Sequence, residues 1–178
     1  MFLDRDGVIN EDKGYISSKK DFIFKEGIIS FLRKAQDQFN YKFIIITNQS
    51  GIGRGYFDEN TFLELMLWLD RKLLEKGIKI LDTFYCPFHP EFGIGKYKRC
   101  SNDRKPRPGM ILKAAKKYNI NLKDSVLLGD RLSDVEAAKN ANVGKIFLIS
   151  KKDDYADAED KSFIVEDNLE KILSYLRS

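Results

Sequence analysis

Phe2-Leu3-Asp4-Arg5-Asp6-Gly7 places two carboxylates and a glycine directly after a short apolar run. In a strand, alternation would put Asp4 and Asp6 on one face, and Gly7 would let the chain turn around whatever they hold. Two converging carboxylates repel each other, so the pair predicts a cation between them. A carboxylate can also act as the nucleophile in phosphoryl transfer. Either aspartate alone could be a helix cap or a solvated loop residue, so only the pair indicates a site.

Further along the chain, short apolar runs alternate with amphipathic stretches, which is typical of a parallel sheet covered by helices. We therefore predict an α/β fold, a three-layer doubly wound, mostly parallel sheet without a large cap, in one domain of residues 1–178. The predicted strands are Met1–Leu3, Phe43–Ile46, Ile80–Tyr85, Val126–Leu128 and Ile146–Ile149. The predicted helices are Gly27–Phe39, Asp58–Lys76, Pro108–Tyr118, Ser133–Asn140 and Asn168–Leu176. Asp58 is expected to cap the second helix and Gly77 to end it, and Lys151–Lys161 is expected to be a surface connection.

The composition is typical of a globular protein, with 43% hydrophobic residues and no repeat among 178 residues. The 31 basic and 27 acidic residues give a formal net charge of +4, a mild surplus that suits an anionic small molecule. No apolar run approaches the roughly 20 residues that span a bilayer, and the start of the chain lacks a secretory pattern. Two cysteines cannot make a disulfide framework. We therefore expect a cytoplasmic monomer without a membrane or nucleic-acid partner.

Three further polar clusters lie next to predicted strands or helices, where ligands of open α/β sheets bind. Residues 47–55 contain three glycines in five positions, which permits close backbone approach to an anion. The basic segment Arg104-Lys105-Pro106-Arg107-Pro108 is stiffened by two prolines. The last cluster is Gly129-Asp130-Arg131, followed one helical turn later by Asp134, which the helix dipole alone could also explain. Singly, a glycine loop could be a plain turn and a basic run a solvated surface.

In combination, these clusters resemble the four motifs of the haloacid-dehalogenase-like phosphatases, in order, from Asp4 to about Ile149. The resemblance implies the Rossmann-like sheet of that family, with Asp4 as the nucleophile and Asp6 as the general acid and base. It also implies that Thr47 and Lys105 stabilise the transferring phosphoryl group. Mg²⁺ would be held by the side chains of Asp4 and Asp130 and by the main-chain carbonyl of Asp6. Asp134 would lie just behind these ligands.

Three strings look like those of one subgroup, the heptose bisphosphate and histidinol-phosphate phosphatases. They are Asp12–Tyr15, Thr47–Ser50 and the Arg-Lys-Pro segment. The resemblance implies substrate contacts from Asp12, Lys13, Gly14, Tyr15, Asn48, Gln49, Ser50, Arg104 and Arg131. The implied reaction removes the 7-phosphate of a small sugar bisphosphate, D-glycero-D-manno-heptose 1,7-bisphosphate. Histidinol phosphate and a polynucleotide 3′-phosphate are alternative substrates, and a catalytically silent sugar-phosphate-binding protein is the non-enzyme alternative.

The chain departs from the subgroup in a loop that carries zinc there, with the pattern Cys-x-His … Cys-x-Cys. Cys86 matches, while the histidine and the next cysteine, His89 and Cys100, are each displaced by one position. Structural zinc takes four tetrahedral ligands, usually rich in thiolates. Cys86, His89, Cys100 and Asp103 could form an unusual set. We expect instead that the loop has lost zinc and relies on packing.

Overall fold

Six strands, all parallel, form one sheet in the structure, a computed structural model that describes residues 1–155, 160 and 162–176. They are β1 (Phe2–Leu3), β2 (Phe43–Asn48), β3 (Ile80–Cys86), β4 (Val126–Gly129), β5 (Lys145–Ile149) and β6 (Ile164–Glu166). Their order across the sheet is β3-β2-β1-β4-β5-β6. The strand order therefore reverses between β1 and β4, and the predicted doubly wound parallel sheet is confirmed.

Helices cover both faces of the sheet. They are α1 (Ile28–Phe39), α2 (Ser50–Gly53), α3 (Glu59–Glu75), α4 (Gly109–Tyr118), α5 (Leu132–Asn140) and α6 (Leu169–Leu176). The Asp58 side chain caps α3 as predicted, because it accepts a hydrogen bond from the Thr61 backbone N–H at 2.7 Å. Gly77 follows the end of this helix with φ at 76°, which glycine adopts without strain. No helix in the described part of the chain is long and apolar enough to cross a bilayer.

Three parts of the structure differ from the sequence prediction or extend beyond it. β6 is not predicted, because three residues beside a charged segment give too short an apolar signal. The predicted glycine loop after β2 is partly helical, since β2 continues to Asn48 and α2 follows at once. A Cβ on Gly53 would collide with the main-chain oxygen of Pro87, so this glycine serves close packing. Of the predicted surface connection, residues 156–159 and 161 lie outside the described residues, and Lys152–Tyr155 form a 3₁₀ turn.

Two apolar layers hold the helices against the sheet. Leu3 and its neighbours on one face pack with α1, α3 and α6, while Phe2 and its neighbours on the other pack with α4 and α5. Successive residues of a strand point to opposite faces, so a two-residue strand contributes one side chain to each core. Both side chains are at most 1% exposed. This burial fixes the register of β1 between β2 and β4, and with it the point where Asp4 leaves the sheet.

The carboxyl ends of β1 and β4 lie side by side at the point where the strand order reverses. Asp4 follows β1 and donates its backbone N–H to the carbonyl of Leu128 in β4 at 3.0 Å. Asp130 is the first residue after β4. The long connections 4–27 and 87–108 leave the sheet at this edge, and the described residues form no separate cap. Ligands of doubly wound sheets bind in the crevice at such a point.

Candidate active site

Three carboxylates meet in this crevice, two from the neighbouring ends of β1 and β4 and one from the first turn of α5. One oxygen each from Asp4, Asp130 and Asp134 lie within 4.8 Å of one another. Gly7 makes the approach possible, because a Cβ at this position would collide with the Asp130 carboxylate. Its φ of 82° is also a conformation that favours glycine. The structure thus brings together the acidic residues that the sequence places near opposite ends of the chain.

A buried lysine lies between two of these carboxylates. The Lys105 Nζ is 3.0 Å from an oxygen of Asp4 and 2.6 Å from an oxygen of Asp134. It also donates a hydrogen bond to the carbonyl of Ile46 in β2 at 3.1 Å. Only 3% of Lys105 is exposed, so its charge is compensated by these two carboxylates rather than by water.

Backbone contacts fix both partners of this ion pair. The Asn48 side chain donates to the carbonyl of Lys105 and accepts from its backbone N–H, each at 3.1 Å. Asp134, in the first turn of α5, accepts the backbone N–H groups of Asp130 and Arg131 at 3.2 and 3.0 Å. The lysine is therefore held against Asp4 from β2 on one side and from α5 on the other.

Burial and like charges perturb the ionisation of this cluster. Burial, opposed by Lys105 and reinforced by the neighbouring aspartates, raises the pKa of Asp4 to about 8. Burial and then Asp134 raise the pKa of Asp130 to about 6. Burial alone would lower the pKa of Lys105, but Asp134 and Asp4 outweigh it and raise that pKa. A cation bound between neighbouring carboxylates offsets their mutual repulsion and stabilises their ionised form.

The donor set fits a hard divalent cation. The Oδ1 atom of Asp130 is buried and has no hydrogen-bond partner among the described residues. Buried polar atoms are rarely left unpaired, so this oxygen is available to a ligand. Asp4 and Asp130 offer oxygens close enough to share one ion, and carboxylate oxygens are ligands that Mg²⁺ takes. Asp134 contacts Lys105 instead.

Asp6 is hydrogen-bonded to a buried arginine. The Arg5 side chain has no solvent exposure, and its Nη2 donates to both carboxylate oxygens of Asp6 at 2.8 Å. The side-chain amides of Asn10 and Gln49 each donate to Asp6 at 3.0 Å. Gln49 also donates to the Thr47 hydroxyl at 2.9 Å. Three side chains therefore orient the Asp6 carboxylate and connect it to the end of β2.

These groups open into one cavity of about 540 Å³. The predicted site residues that line it are Asp4, Asp6, Asp12, Gly14, Tyr15, Thr47, Asn48, Gln49, Ser50, Arg104, Lys105 and Arg131. Lys13 is exposed and lies outside this lining. Asp130 and Asp134 are also outside it. Asp134 forms an ion pair with Lys105, and an oxygen of Asp130 lies within 4.8 Å of one from Asp4.

The loop of residues 12–15 is tied to Arg131 at the start of α5, and Asp12 and Arg131 both line the cavity. Asp12 accepts a hydrogen bond from Arg131 at 2.6 Å and another from the Gly14 backbone N–H at 2.9 Å. Burial would raise the pKa of Asp12, but these bonds outweigh it and lower that pKa. The Tyr15 ring packs edge-on against Tyr56 at 4.7 Å between centroids. The loop is therefore held in place at both of its ends.

Sequence reasoning does not single out three polar residues that the structure places at the site. Arg54 and Ser133 line the cavity, and Arg5 supports Asp6 from the protein interior. The position of Arg54 within the glycine-rich segment 47–55 is a signal that could have identified it. Arg5 gives no such signal, because only the folded chain shows that its charge is buried against Asp6.

The four candidate zinc ligands have other surroundings in the described structure. The His89 Nδ1 accepts two backbone N–H groups at 3.1 and 3.2 Å. Asp103 forms an ion pair with Lys113. Cys86 is buried and Cys100 is exposed. Among the described residues, the group of metal-ligating side chains that comes close together is the aspartate cluster, not this loop.

Known proteins are similar in sequence to this chain over most of its length. The family described as HAD-hydrolase-like matches residues 102–172. The D-glycero-alpha-D-manno-heptose-1,7-bisphosphate 7-phosphatase of Burkholderia mallei is 45% identical over 153 residues, which cover 86% of this chain and 80% of that protein. The D-glycero-beta-D-manno-heptose-1,7-bisphosphate 7-phosphatase of Vibrio cholerae is 41% identical over 177 residues, 99% and 95% of the two chains.

A solved structure shares the fold as well. The D,D-heptose 1,7-bisphosphate phosphatase of B. bronchiseptica, complexed with magnesium and phosphate, superposes with a TM-score of 0.83 at 28% identity. The match covers 98% of each chain. It therefore includes the sheet and the connections at its carboxyl edge.

Proposed function

The chain belongs to the heptose bisphosphate phosphatases of the haloacid-dehalogenase-like family, and we propose that it removes the 7-phosphate of D-glycero-D-manno-heptose 1,7-bisphosphate. The observation that carries the proposal is the position of the Asp4 carboxylate. It lines a cavity of about 540 Å³, forms an ion pair with Lys105 and has an oxygen within 4.8 Å of one from Asp130. A carboxylate nucleophile beside a fixed positive charge, with room for an anion, is what attack on a phosphoryl group requires.

In the proposed reaction, Asp4 attacks the phosphorus in line and forms an aspartyl phosphate while the sugar oxygen leaves. The Thr47 hydroxyl and the Lys105 ammonium donate to the phosphoryl oxygens as their negative charge grows. Water then hydrolyses the acyl phosphate, which restores Asp4 and releases inorganic phosphate. Positioning and electrostatic stabilisation supply most of the rate enhancement in this scheme.

Asp6 is the proposed acid for the leaving oxygen and the base for the attacking water. Its carboxylate accepts hydrogen bonds from Arg5, Asn10 and Gln49. To donate a proton to the sugar oxygen, Asp6 has to release at least one of these partners. Acid–base catalysis of this kind contributes about 100- to 10,000-fold to a rate.

We propose that the carboxylates of Asp4 and Asp130 and the main-chain carbonyl of Asp6 hold Mg²⁺. The bound ion supplies Lewis-acid stabilisation of the negative charge on the phosphoryl group. The unpaired buried oxygen of Asp130 supports this assignment. Asp134 is the positioning residue for Lys105, because it contacts the ammonium directly.

The sugar is proposed to lie between the loop of residues 12–15 and the two arginines Arg104 and Arg131. Both arginines line the cavity, as do three residues of the loop, Asp12, Gly14 and Tyr15. Hydroxyl groups and phosphates suit guanidinium donors, which present several N–H groups in one plane. Residues 1–178 are proposed to make up one phosphatase domain, since the two apolar cores share a single sheet.

A panel assay tests the substrate. Phosphate release is measured from both anomers of D-glycero-D-manno-heptose 1,7-bisphosphate, from histidinol phosphate and from a 3′-phosphorylated oligonucleotide. We expect kcat/KM for one heptose bisphosphate anomer to exceed the values for the other two substrate classes by at least about 100-fold. The product should retain its 1-phosphate. A higher kcat/KM for histidinol phosphate or for the oligonucleotide would contradict the proposal.

A further inference from the structure

Arg54 is a cavity residue that the reaction described above leaves without a role. It follows α2 and lines the same cavity as Asp4 and Lys105. No carboxylate of the described residues forms an ion pair with its guanidinium. Its Nε is buried and has no hydrogen-bond partner in the described part of the chain. A buried donor on a cation is costly to leave unpaired, which indicates that a ligand supplies the missing acceptor.

Two aromatic rings hold the Arg54 guanidinium in place. Its central carbon lies 4.3 Å from the ring centroid of Phe92 and 5.6 Å from that of Tyr15. Both distances are within the range of cation–π attraction. Stacking satisfies the flat faces of the guanidinium but leaves its N–H groups at the edge free to donate. The arrangement therefore orients the side chain without neutralising its charge.

Arg104 adds a second uncompensated positive charge to the same cavity. Its Nη1 donates a long hydrogen bond of 3.4 Å to the carbonyl of Phe88, and it has no ion pair with a described carboxylate. Burial lowers the pKa of Arg104 against the opposing effect of Cys86, and the charge of Arg54 lowers it further, so the two guanidinium groups act on each other. Arg131 differs from both, because Asp12 neutralises it at 2.6 Å. The positive charge that remains for a ligand is thus concentrated on Arg54 and Arg104.

We propose that Arg54 and Arg104 together bind the phosphate of the sugar bisphosphate that is not cleaved, and that Arg54 sets the preference for a doubly phosphorylated substrate. The inference rests on the proposed function, because it assigns the second phosphate of that substrate. The first phosphate is the one that Asp4 attacks, and Lys105 beside Asp4 compensates the charge of that phosphate. The second phosphate, a dianion, pairs with guanidinium groups through two or more charge-assisted hydrogen bonds.

The test compares heptose 1,7-bisphosphate with heptose 7-phosphate, which lacks the second phosphate. In Arg54→Gln, we expect the ratio of kcat/KM for the bisphosphate to that for the monophosphate to fall about 10- to 100-fold, mainly through KM. Arg54→Lys keeps a positive charge but loses the planar guanidinium group, so its kcat/KM ratio should lie between those of the wild-type protein and Arg54→Gln. Arg99→Gln is the matched control, because Arg99 also stacks on a ring, Phe88, at 3.9 Å but does not line the cavity.

The outcomes separate this inference from the proposed function. If the wild-type protein hydrolyses the monophosphate but not the bisphosphate, the proposed function fails and the inference fails with it. The inference alone is overturned if the wild-type protein prefers the bisphosphate but Arg54→Gln has the same ratio of kcat/KM values. An equal fall in kcat/KM for both substrates is one form of that result. If thermal unfolding shows that Arg54→Gln does not fold, Arg54→Lys decides. An unchanged kcat/KM ratio in Arg54→Lys overturns the inference, and a lowered ratio supports it.

Discussion

Lys105 is a buried cation that two aspartates share, and it contacts Asp4, the proposed nucleophile. Its Nζ lies 3.0 Å from Asp4 and 2.6 Å from Asp134. Asp134 is 1% exposed and is anchored by two backbone N–H groups. A group this constrained adds electrostatic stabilisation without reorganising during the reaction. Removing one carboxylate from such a set leaves part of a buried charge uncompensated.

Asp134→Asn tests the positioning of Lys105. We expect kcat to fall about 10- to 100-fold with little change in KM, because the ammonium loses orientation rather than contact with the substrate. The free energy of unfolding should fall by about 3 kcal/mol, since Asp4 still faces the lysine. Steady-state kinetics and urea denaturation provide the two measurements.

Asp82→Asn is the matched control for this variant. It breaks the pair of Asp82 with Lys117 at 2.8 Å, which lies at the surface. Its cost should stay below about 1 kcal/mol, and kcat should be unchanged. If Asp134→Asn behaves like this control in both measurements, Asp134 has no positioning role.

At the residue scale, the sequence indicates the aspartates that come together in the structure, but it does not indicate the side chains that support them. Asp4 and Asp130 stand out because each directly follows an apolar run. Arg5 and Arg54 do not stand out, since an arginine in sequence resembles any solvated charge. Their importance depends on burial and on the rings and carboxylates that the fold brings to them. These are tertiary contacts that no local pattern contains.

At the element scale, two strand ends and one turn create the site. β1 contributes two residues to the sheet, yet its pairing with β2 and β4 places Asp4 beside Asp130. The turn at Gly7 then passes so close to Asp130 that only a residue without a Cβ fits. The separation of the two carboxylates is therefore set by backbone packing rather than by side-chain rotamers alone.

Gly7→Ala tests this close approach. The added methyl group has to displace the Asp130 carboxylate, so we expect weaker Mg²⁺ binding in calorimetry and a loss of kcat of at least about 100-fold. Gly27→Ala is the matched control, because Gly27 has a similar φ of 77° but a Cβ there meets a single side-chain atom at 4.0 Å. The free energy of unfolding should fall by about 1 kcal/mol in both variants, because alanine is strained at this φ. Equal Mg²⁺ affinity in the two variants would refute the steric argument.

The predicted elements follow the strength of their local signals. α3 is predicted within one residue at each end, because its apolar spacing, its Asp58 cap and its terminal glycine agree. β6 is missed, because its three residues gain their strand conformation from pairing with β5. α2 is missed for a related reason: its four residues are favoured by packing, with glycines that let Phe57 and Pro87 approach.

At the scale of the whole molecule, charge is separated across the cavity. Asp4 and Asp130 follow the carboxyl ends of β1 and β4, whereas Arg54 and Arg104 line the cavity without an ion-pair partner among the described residues. The net charge of +4 gives no hint of this separation, because it sums over surfaces that have no part in the site. The alternation of strands and helices does predict the sheet, and through it the edge where the site forms.

The central step of the proposed reaction is attack of the Asp4 carboxylate on phosphorus. The direct measurement mixes the protein with Mg²⁺ and heptose 1,7-bisphosphate, quenches in acid and locates the phosphoryl group by mass spectrometry. We predict one phosphoryl group on Asp4 in the wild-type protein and in the surface control Asp70→Asn. Asp4→Asn should carry none, keep its fold and lose turnover. Substantial turnover in Asp4→Asn, or a phosphoryl group on another residue, would contradict the account.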